Sequence, residues 1–439
     1  MDLKNRKTGK SYAVFGAGVS GKAVAQWCRE HNIPAVIYDR SGRDGSRIDF
    51  TESDAREHDT VIYSPGFPAN HPWLKIADEA ACFRAGETDA AAALWQKQFG
   101  FETVAVTGTN GKTTLTEFLA FAHREAGRRA VAVGNNGIPF TTLLLKDAPK
   151  ADLPVCEISS FQAEHMEHFF PKNILWTNFD EDHLDRHGSP ENYFRAKFRL
   201  VELQMQKGIS GNCIIGESVA EAARRFGIRF PDYVRIATRN EVYGKIPAGS
   251  IFETFPQAEN YAIATHYWQA NGFPPEELET AARKFEPKAH RLSRCTVIDY
   301  PETRIEFWND SKGTNFHAVY AALETFPQLP VFWIGGGLGK GGNLAAFCRR
   351  IAPKIVSASL IGKTAPELLE NFAETGTPAQ KFETLADAVD AAFQAARESR
   401  APRAVVLFSP GFASFDMFRS YGERGKIFES LAERLKAKK

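Results

Sequence analysis

The segment that most constrains this chain of 439 residues is TGTNGKTT, at residues 107–114. It follows a short, β-branched apolar run at 103–107, which is typical of a central parallel strand. It precedes apolar residues at helical spacing, which continue until Gly127 ends the helix. A glycine loop between a strand and a helix lets backbone N–H groups approach phosphate oxygens. The chain is therefore predicted to bind a nucleoside triphosphate.

The loop departs from the strict phosphate-loop spacing at one position. That spacing requires glycine at position 106, where this chain has Val106, so the motif is a shortened variant. We expect Lys112 to reach the terminal phosphates and the Thr113 hydroxyl to bind Mg²⁺. From the motif alone, a structural turn remains an alternative.

Composition excludes several classes of function. With 43% hydrophobic and 24% charged residues, the chain is typical of a globular protein of several domains. Its formal net charge of +1 gives no overall field that would attract nucleic acid or an anionic membrane. We expect no signal peptide, no membrane anchor and a monomer. The six cysteines are scattered singly, which indicates reduced thiols in a cytoplasmic protein.

Strand-like and helical runs alternate along the chain, which predicts an α/β protein with parallel sheets covered by helices. Three blocks can be distinguished. The first has strands at 11–15 and 60–63, a strand that ends at Asp39, and an alanine-rich helix at 88–98. The second holds the phosphate loop, strands at 153–158 and 173–177, and a charged helix at 190–206, and it ends at 285–288. The third opens with a hairpin at 295–300 and 304–308, continues with strands at 331–334, 356–361 and 405–408, and ends in a long helix.

The first block contains a second glycine motif, Gly16-x-Gly18-x-x-Gly21, with Asp39 about twenty positions later. This pattern fits a dinucleotide whose ribose hydroxyl binds Asp39. It fits equally any anionic ligand that faces the N-terminus of the following helix. A tight strand-to-helix turn without a ligand is the structural alternative.

Charged side chains follow two strands of the second block. Glu157 ends an apolar strand, at the edge where open α/β sheets bind ligands, and is a candidate Mg²⁺ ligand. Its alternative is an ion pair with a nearby Lys or Arg. The loop at 178–187 carries four carboxylates and two histidines, and His183 is its candidate for metal or phosphate binding; a solvated acidic turn is the alternative. Lys197 lies in a helical run, where the pattern alone indicates solvated surface.

The third block supplies further polar loops after strands. Arg291 is a candidate to bind a transferring phosphate, and Asp310 and Lys312 to bind ribose, phosphate or a carboxylate. Asp310 or Ser311 could instead be only the N-cap of the next helix. Lys340 and Ser414 are the polar groups of two later loops that we expect to meet a substrate.

These segments, in this order, resemble the Mur ligases, the ATP-dependent amide-forming enzymes of peptidoglycan precursor synthesis. The segments NDSKGTN at 309–315 and SPGFASFDMF at 409–418 are most similar to the members that add D-glutamate to UDP-N-acetylmuramoyl-L-alanine. The resemblance covers nearly the whole chain. It implies an acyl-phosphate intermediate, made with ATP, that the amine of the amino acid attacks. It also implies domain closure around Pro287.

The resemblance implies three α/β domains: a Rossmann-like UDP-binding domain at 1–92, a P-loop ATPase domain at 93–288 and a Rossmann-like domain at 289–439. The residues implied to bind ATP are Gly108, Thr109, Asn110, Gly111, Lys112, Thr113, Thr114, Asn260, Arg291 and Asp310. Those implied to bind the UDP-sugar are Gly18, Val19, Ser20, Asp39, Arg40, Ser64, Pro65, Gly66, Asn135 and Ser159. Those implied to bind D-glutamate are Thr314, Lys340, Ser414, Phe415 and Tyr421, with Lys312 beside them.

The metal sites and catalytic residues also follow from the resemblance. Two Mg²⁺ sites would use Thr113, Glu157, His183 and Lys197, with Lys197 carbamylated by CO₂. The catalytic residues would be Lys112, His183, Lys197, Arg291 and Lys312.

Three positions depart from the family pattern. Glu259 stands where many relatives have His, the loop at 335–342 lacks an acidic residue, and Tyr421 replaces Phe. A Mur-type ligase for another amino acid is therefore the first alternative, and a dinucleotide-dependent oxidoreductase the second. A nucleotide-regulated binding protein is a third.

Overall fold

A computed structural model describes residues 11–68, 70–100, 102–135, 137–242, 245–253, 257–287 and 290–437. The chain divides into two compact units. Unit 1 comprises residues 1–179, 191–252 and 258–285, and unit 2 comprises residues 180–190, 253–257 and 286–439. Each unit is described below by itself.

The strands of the described residues are numbered in chain order. They are β1 Ser11–Phe15, β2 Ala35–Tyr38, β3 His58–Tyr63, β4 Phe83–Gly86, β5 Val104–Thr107, β6 Ala130–Gly134, β7 Leu153–Glu157, β8 Asn173–Trp176, β9 Asn212–Gly216, β10 Arg235–Ala237, β11 Ser293–Asp299, β12 Arg304–Asn309, β13 Val331–Gly336, β14 Ser357–Ile361, β15 Ala379–Lys381 and β16 Arg403–Phe408.

The α-helices of the described residues are numbered in the same way. They are α1 Val19–Glu30, α2 Glu52–Glu57, α3 Pro72–Glu79, α4 Glu87–Phe99, α5 Lys112–Glu125, α6 Ser160–Ala163, α7 Leu184–His187, α8 Pro190–Lys207, α9 Glu217–Arg225, α10 Gln257–Ala270, α11 Pro275–Lys284, α12 Phe316–Glu324, α13 Leu344–Ile351, α14 Ala365–Thr375, α15 Leu385–Glu398 and α16 Tyr421–Ala437.

Three sheets organise these elements, and helices connect most of their strands. Two lie in unit 1, with strand orders β2-β1-β3-β4 and β10-β9-β8-β5-β7-β6, and their described pairings are parallel. The third lies in unit 2 in the order β11-β12-β16-β13-β14-β15. Only its β11–β12 pairing is antiparallel among the pairings described there, which confirms the predicted hairpin. The α/β class with three mainly parallel sheets is confirmed.

The second sheet of unit 1 is buried on both faces, because helices cover each side. All four residues of β5 are buried, as continuous apolar strands of parallel sheets should be. Phe118 and Leu119 of α5 pack on one face with Trp268 of α10, whereas Trp176 and Phe194 pack on the other. Central β5 is thereby fixed, and its carboxyl end supports the loop at 108–111.

The first sheet carries the glycine motif between β1 and α1. A Cβ at Gly21 would lie 1.8 Å from the carbonyl oxygen of Gly16. Only glycine therefore allows α1 to begin this close to the end of β1. The helix α4, which follows this sheet, carries the buried carboxylate of Asp89, which accepts backbone N–H groups of Glu167, His168 and Phe169. These bonds fix the chain that follows β7 and α6 to α4.

The predicted domain boundaries at 92/93 and 288/289 remain predictions, and residues 288 and 289 lie outside the described residues. The six cysteines are free thiols, as expected, and five of them are buried. Within the described ranges, no helix combines the length and the apolar character that a membrane crossing requires.

Candidate active site

The loop between β5 and α5 is held in one conformation by its own glycines and by Asn260. Gly111 has φ +78°, a left-handed conformation that favours glycine. A Cβ there would lie 2.7 Å from the side-chain oxygen of Asn260, a buried residue of α10. Asn260 therefore supports the loop from behind, and a larger residue at position 111 would require Asn260 to shift.

Two residues that follow β8 brace the other side of the loop. The side-chain oxygen of Asn178 accepts the N–H of Asn110 at 2.9 Å, and its backbone oxygen accepts the N–H of Thr109 at 3.0 Å. The hydroxyl of Thr177 donates to the carbonyl of Asn110 at 2.6 Å. The sequence pattern identifies Asn178 only as the start of an acidic loop. The available signal was that β8 would pair with β5, which places both strand ends at one edge.

Two lysines point at the carbonyl groups of the same loop. The ammonium of Lys112 donates to Gly108 at 2.9 Å and to Thr109 at 2.8 Å. The ammonium of Lys197 donates to Gly108 at 2.8 Å and lies 4.7 Å from the centre of the Tyr193 ring. Lys197 is only 1% exposed, so the interpretation of this residue as solvated surface is wrong. The burial of Lys197 depends on how α8 packs beside the loop, which its helical pattern does not encode.

Glu157 ends β7 beside the loop, as predicted. One of its carboxylate oxygens accepts from the side chain of Asn135 at 2.8 Å. The other is buried and has no hydrogen-bond partner in the described residues, and no Lys or Arg within the described ranges forms an ion pair with Glu157. The ion-pair alternative is therefore wrong. A buried carboxylate oxygen without a partner is costly, and a hard cation with oxygen ligands would satisfy it.

The residues proposed to bind metal do not form one cluster of carboxylates and histidines. Within the described ranges, no group of three or more His, Cys, Asp or Glu side chains is placed to hold a metal ion. Thr113, Glu157 and Lys197 belong to unit 1, whereas His183 belongs to unit 2. The role of each as a ligand remains a prediction.

Glu259 precedes Asn260 on α10. Burial raises the pKa of Glu259 to about 7, and Glu217 adds to this effect while Arg239 opposes it. Near neutral pH this carboxyl is therefore partly protonated, next to the residue that supports Gly111.

The first glycine motif lies at the carboxyl edge of the first sheet, together with the turn after β3. The carboxylate of Asp39 accepts the N–H of Ala17, and the N–H and hydroxyl of Ser41. These bonds lower the pKa of Asp39. Arg40 lies over the Trp73 ring at 5.8 Å, and the Ser64 hydroxyl is buried without a hydrogen-bond partner in the described residues.

The remaining residues expected to bind the UDP-sugar lie at different places in unit 1. Gly18, Val19 and Ser20 are at the start of α1, where Val19 is 66% exposed. Pro65 and Gly66 follow Ser64 in the turn. Asn135 is bound to Glu157, and Ser159 caps α6.

In unit 2, Arg291 lies between two strained residues. His290 has φ +65° and Leu292 has φ +47°, conformations that cost non-glycine residues free energy and cluster at functional sites. Asp310 accepts the N–H of Leu292 at 3.2 Å and the hydroxyl of Ser409 at 2.7 Å. Burial raises the pKa of Asp310 to about 7, although these bonds and nearby positive charges oppose it.

The N-cap alternative for Asp310 or Ser311 is wrong. The side chain of Asn315 caps α12 by accepting the N–H of Ala318 at 2.9 Å. The residues 310–314 instead form a loop between β12 and α12. Within it, the Lys312 ammonium lies 4.0 Å from the centre of the Tyr421 ring.

A cavity of about 190 Å³ in unit 2 gathers several predicted residues. Thr314, Lys340 and His183 line it, together with Asp182. The Lys340 ammonium lies 3.4 Å from the Thr314 hydroxyl and 3.9 Å from the Asp182 carboxylate. The other residues expected to bind D-glutamate do not line this cavity: Ser414 is buried, Phe415 is 72% exposed and Tyr421 is 38% exposed.

Asp182 is the acidic centre of this cavity. Burial alone would raise its pKa, but Lys340, His183 and a 2.9 Å hydrogen bond from Asn315 outweigh that effect and lower it. The carboxylate is therefore ionised at neutral pH. His183 has φ +54° and its ring lies 3.6 Å from Asp182. Because the Asp182 side chain is only 8% exposed and accepts the hydrogen bond from Asn315, the solvated-turn alternative is wrong at Asp182.

Comparison with known proteins decides the family. A model of the Mur ligase middle domain matches residues 106–230. UDP-N-acetylmuramoylalanine--D-glutamate ligase of Gloeobacter violaceus is 33% identical over 95% of this chain and 98% of its own length. The enzyme of the same name from Chelativorans sp. is 32% identical, over 97% of this chain and 96% of its own length. This chain belongs to the Mur ligase family.

Solved structures agree with this Mur ligase in fold. The UDP-N-acetylmuramate-alanine ligase of Thermotoga maritima has a TM-score of 0.58 at 16% identity, over 98% of this chain and all of its own. MurF of Acinetobacter baumannii has a TM-score of 0.58 at 15% identity, over 87% of this chain and 92% of its own. At such identities the likeness establishes the three-sheet α/β fold alone.

The raised pKa of Glu259 predicts a pH-dependent stability. The folded protein holds this proton up to about pH 7, whereas the unfolded chain releases it near 4.5. The contribution of Glu259 to the free energy of unfolding therefore falls as pH rises between these values. Relative to the natural protein, Glu259→Gln should gain stability from about pH 5 to pH 8, measured as the urea midpoint. The control variant Glu276→Gln, at an exposed position, should show no such gain. If the urea midpoints of Glu259→Gln and the natural protein change in parallel with pH, the account is contradicted.

Proposed function

We propose that this Mur ligase joins D-glutamate to UDP-N-acetylmuramoyl-L-alanine and converts ATP to ADP and phosphate. The observation that carries the proposal is the near end-to-end similarity to ligases of that name, at 32% and 33% identity. A structure of the MurF ligase of Thermotoga maritima in complex with ADP has a related fold, with a TM-score of 0.54. The product is an amide of peptidoglycan precursor synthesis.

The reaction needs two steps because a carboxylate is a poor electrophile. An oxygen of the alanyl carboxylate attacks the γ-phosphorus of ATP, so an acyl phosphate forms and ADP leaves. The unprotonated amine of D-glutamate then attacks the acyl carbon, and the tetrahedral intermediate expels inorganic phosphate. One proton is lost from the attacking nitrogen. Both steps concentrate negative charge, so positive groups held in place lower the barriers.

The phosphate loop supplies the first of these positive groups. The proposed ATP-binding residues of unit 1 are Gly108, Thr109, Asn110, Gly111, Lys112, Thr113, Thr114 and Asn260. Backbone N–H groups at the start of α5 would bind phosphate oxygens, and the Lys112 ammonium would turn from the loop carbonyls to the terminal phosphates. From unit 2, Arg291, Asp310 and Lys312 are proposed to bind ATP and the reacting groups. The strain around Arg291 supports a functional role for it.

Magnesium is proposed at the carboxyl edge of the second sheet of unit 1. Thr113, Glu157 and Lys197 are proposed to hold it, with His183 at a second site. The buried oxygen of Glu157 that lacks a partner supports this donor set. When bound, the ion would neutralise phosphate charge. Carbamylation of Lys197 would replace its positive charge with an anionic ligand, and the burial of Lys197 against the loop supports a role beyond surface solvation.

The first sheet is proposed to bind the UDP-sugar through the glycine motif, Asp39, Arg40, residues 64–66, Asn135 and Ser159. The buried Ser64 hydroxyl without a partner supports a ligand there. Thr314, Lys340, Ser414, Phe415 and Tyr421 are proposed to bind D-glutamate. Closure around Pro287, a monomeric state and a cytoplasmic location also remain proposals.

A Mur-type ligase for a different amino acid is the second candidate. The presence of Glu259, the missing acidic residue at 335–342 and Tyr421 favour it. Tyr421 and the loop at 335–342 belong to the expected amino-acid site, whereas Glu259 precedes Asn260, which supports the phosphate loop.

The deciding assay measures phosphate released from ATP with UDP-N-acetylmuramoyl-L-alanine and a panel of amino acids. We expect release with D-glutamate, dependent on both substrates, and little with L-glutamate, D-glutamine or D-alanine. Release with another amino acid alone would refute the specificity but keep the ligase. No release with any amino acid would refute the ligase reaction.

A second experiment tests the proposed carbamate. Lys197→Ala should lose activity by about a hundredfold or more, because a ligand near the phosphates is removed. Added formate or acetate should restore part of it by supplying a carboxylate in the space left. The nearby surface variant Arg195→Ala should keep full activity. If Lys197→Ala is inactive and short carboxylates restore nothing, the carbamate role fails.

A further inference from the structure

The strained backbone on either side of Arg291 lies against the middle of the C-terminal helix α16. His290 and Leu292 have φ of +65° and +47°. Conformations of this kind persist in non-glycine residues only where the surrounding contacts enforce them. Arg291 lies between the two, so the backbone conformation on both sides determines where its side chain leaves the chain. The contacts that enforce this conformation therefore also place Arg291.

The loop after β12 holds the backbone of this segment. The carboxylate of Asp310 accepts the N–H of Leu292 at 3.2 Å. The N–H of Lys312 donates to the carbonyl oxygen of His290 at 3.1 Å. Both bonds are made to backbone atoms, so the ring of His290 is held by other groups.

The His290 ring packs where a glycine leaves space in α16. His290 is only 7% exposed. A Cβ at Gly425 would lie 2.5 Å from Nδ1 and 2.6 Å from Cγ of this ring. Glycine is less favourable than alanine inside a helix, and Gly425 lies inside α16. Its place there is explained by the ring, which lies directly against the helix.

One carboxylate oxygen of Glu429, one turn after Gly425, joins this ring to β12. It lies 3.1 Å from Nδ1 of His290 and 2.8 Å from the side-chain nitrogen of Asn309. That nitrogen also lies 2.8 Å from the same Nδ1. The side-chain oxygen of Asn309 accepts the N–H of Ser311 at 3.0 Å, which fixes the orientation of the amide. Glu429 therefore holds the ring directly when Nδ1 carries the proton, and through Asn309 when it does not.

We propose that Glu429 is a positioning residue for the ligase reaction. Through His290 and Asn309 it keeps the backbone around Arg291 in the strained conformation that presents the guanidinium to the transferring phosphate. This inference rests on the proposed function, in which Arg291 binds the reacting groups. Hydrogen bonds to a charged group are stronger than those between neutral groups, so a carboxylate is suited to holding a strained residue.

Glu433, one turn further along α16, provides a matched control. Its carboxylate accepts the hydroxyl of Thr296 on β11 at 2.5 Å. Both carboxylates therefore bind α16 to the hairpin, but only Glu429 contacts His290.

The first test compares Glu429→Ala with Glu433→Ala in the phosphate-release assay. Glu429→Ala should lower kcat about 10- to 100-fold, because Arg291 is displaced from the phosphate in the transition state. The KM for D-glutamate should stay within about threefold, because the loss falls on the chemical step. Glu429→Gln, which keeps an acceptor oxygen at the same chain length, should recover most of kcat. Glu433→Ala should match the natural protein.

A double-mutant cycle separates positioning from general support of the fold. If Glu429 acts through Arg291, the double variant Arg291→Ala/Glu429→Ala should be as active as Arg291→Ala alone. Losses that multiply in the double variant would refute the proposal, because Glu429 would then act independently of Arg291. Thermal unfolding of each variant checks that it is folded at the assay temperature.

The outcomes separate this inference from the proposed function. If the natural protein releases phosphate with any amino acid and Glu429→Ala behaves like Glu433→Ala, the positioning role is refuted and the ligase stands. A higher KM for the amino acid with an unchanged kcat would also refute the positioning role. No release by the natural protein with any amino acid would refute both.

Discussion

The bend between β5 and α5 is held by hydrogen bonds from the end of the neighbouring strand β8. Asn178 binds the loop through both its side chain and its backbone, and Thr177 binds the carbonyl of Asn110. Asn260 fills the space behind Gly111. A loop whose conformation is fixed in advance pays little ordering entropy when a phosphate binds. The proposed nucleotide site therefore depends on the order of strands in the second sheet.

Buried and charged side chains lie beside that loop and line the cavity of unit 2. Beside the loop, one carboxylate oxygen of Glu157 is buried without a hydrogen-bond partner in the described residues, and burying such an oxygen is costly. In unit 2, Asp182 and Lys340 lie close together, whereas Arg350 rests on an aromatic ring. The Glu157 oxygen without a partner is the observation that supports the proposed magnesium site.

Much of the fold followed from local patterns. The loop, β7, β8 and the β11–β12 hairpin are where apolar runs and turn residues predicted them, because short range sterics and burial decide such elements. Short strands such as β15, with exposed residues, carry no such pattern. The candidate site was harder to predict from the sequence. Burial of Lys197, bracing by Asn178 and the cap at Asn315 all depend on tertiary packing, and the carbamate role of Lys197 came from family resemblance alone.

The central claim is that the loop at 108–111 must keep its shape to bind ATP, and one pair of glycines tests it most directly. Gly111 and Gly127 both have φ +78°, but only at Gly111 would a Cβ meet another residue within 4 Å. Alanine at either position carries a similar backbone cost of about 1–2 kcal/mol. In calorimetric titration with ATP and Mg²⁺, Gly127→Ala should bind ATP as tightly as the natural protein does. Gly111→Ala should bind ATP about tenfold or more weakly. Equal affinity in the two variants would contradict the account.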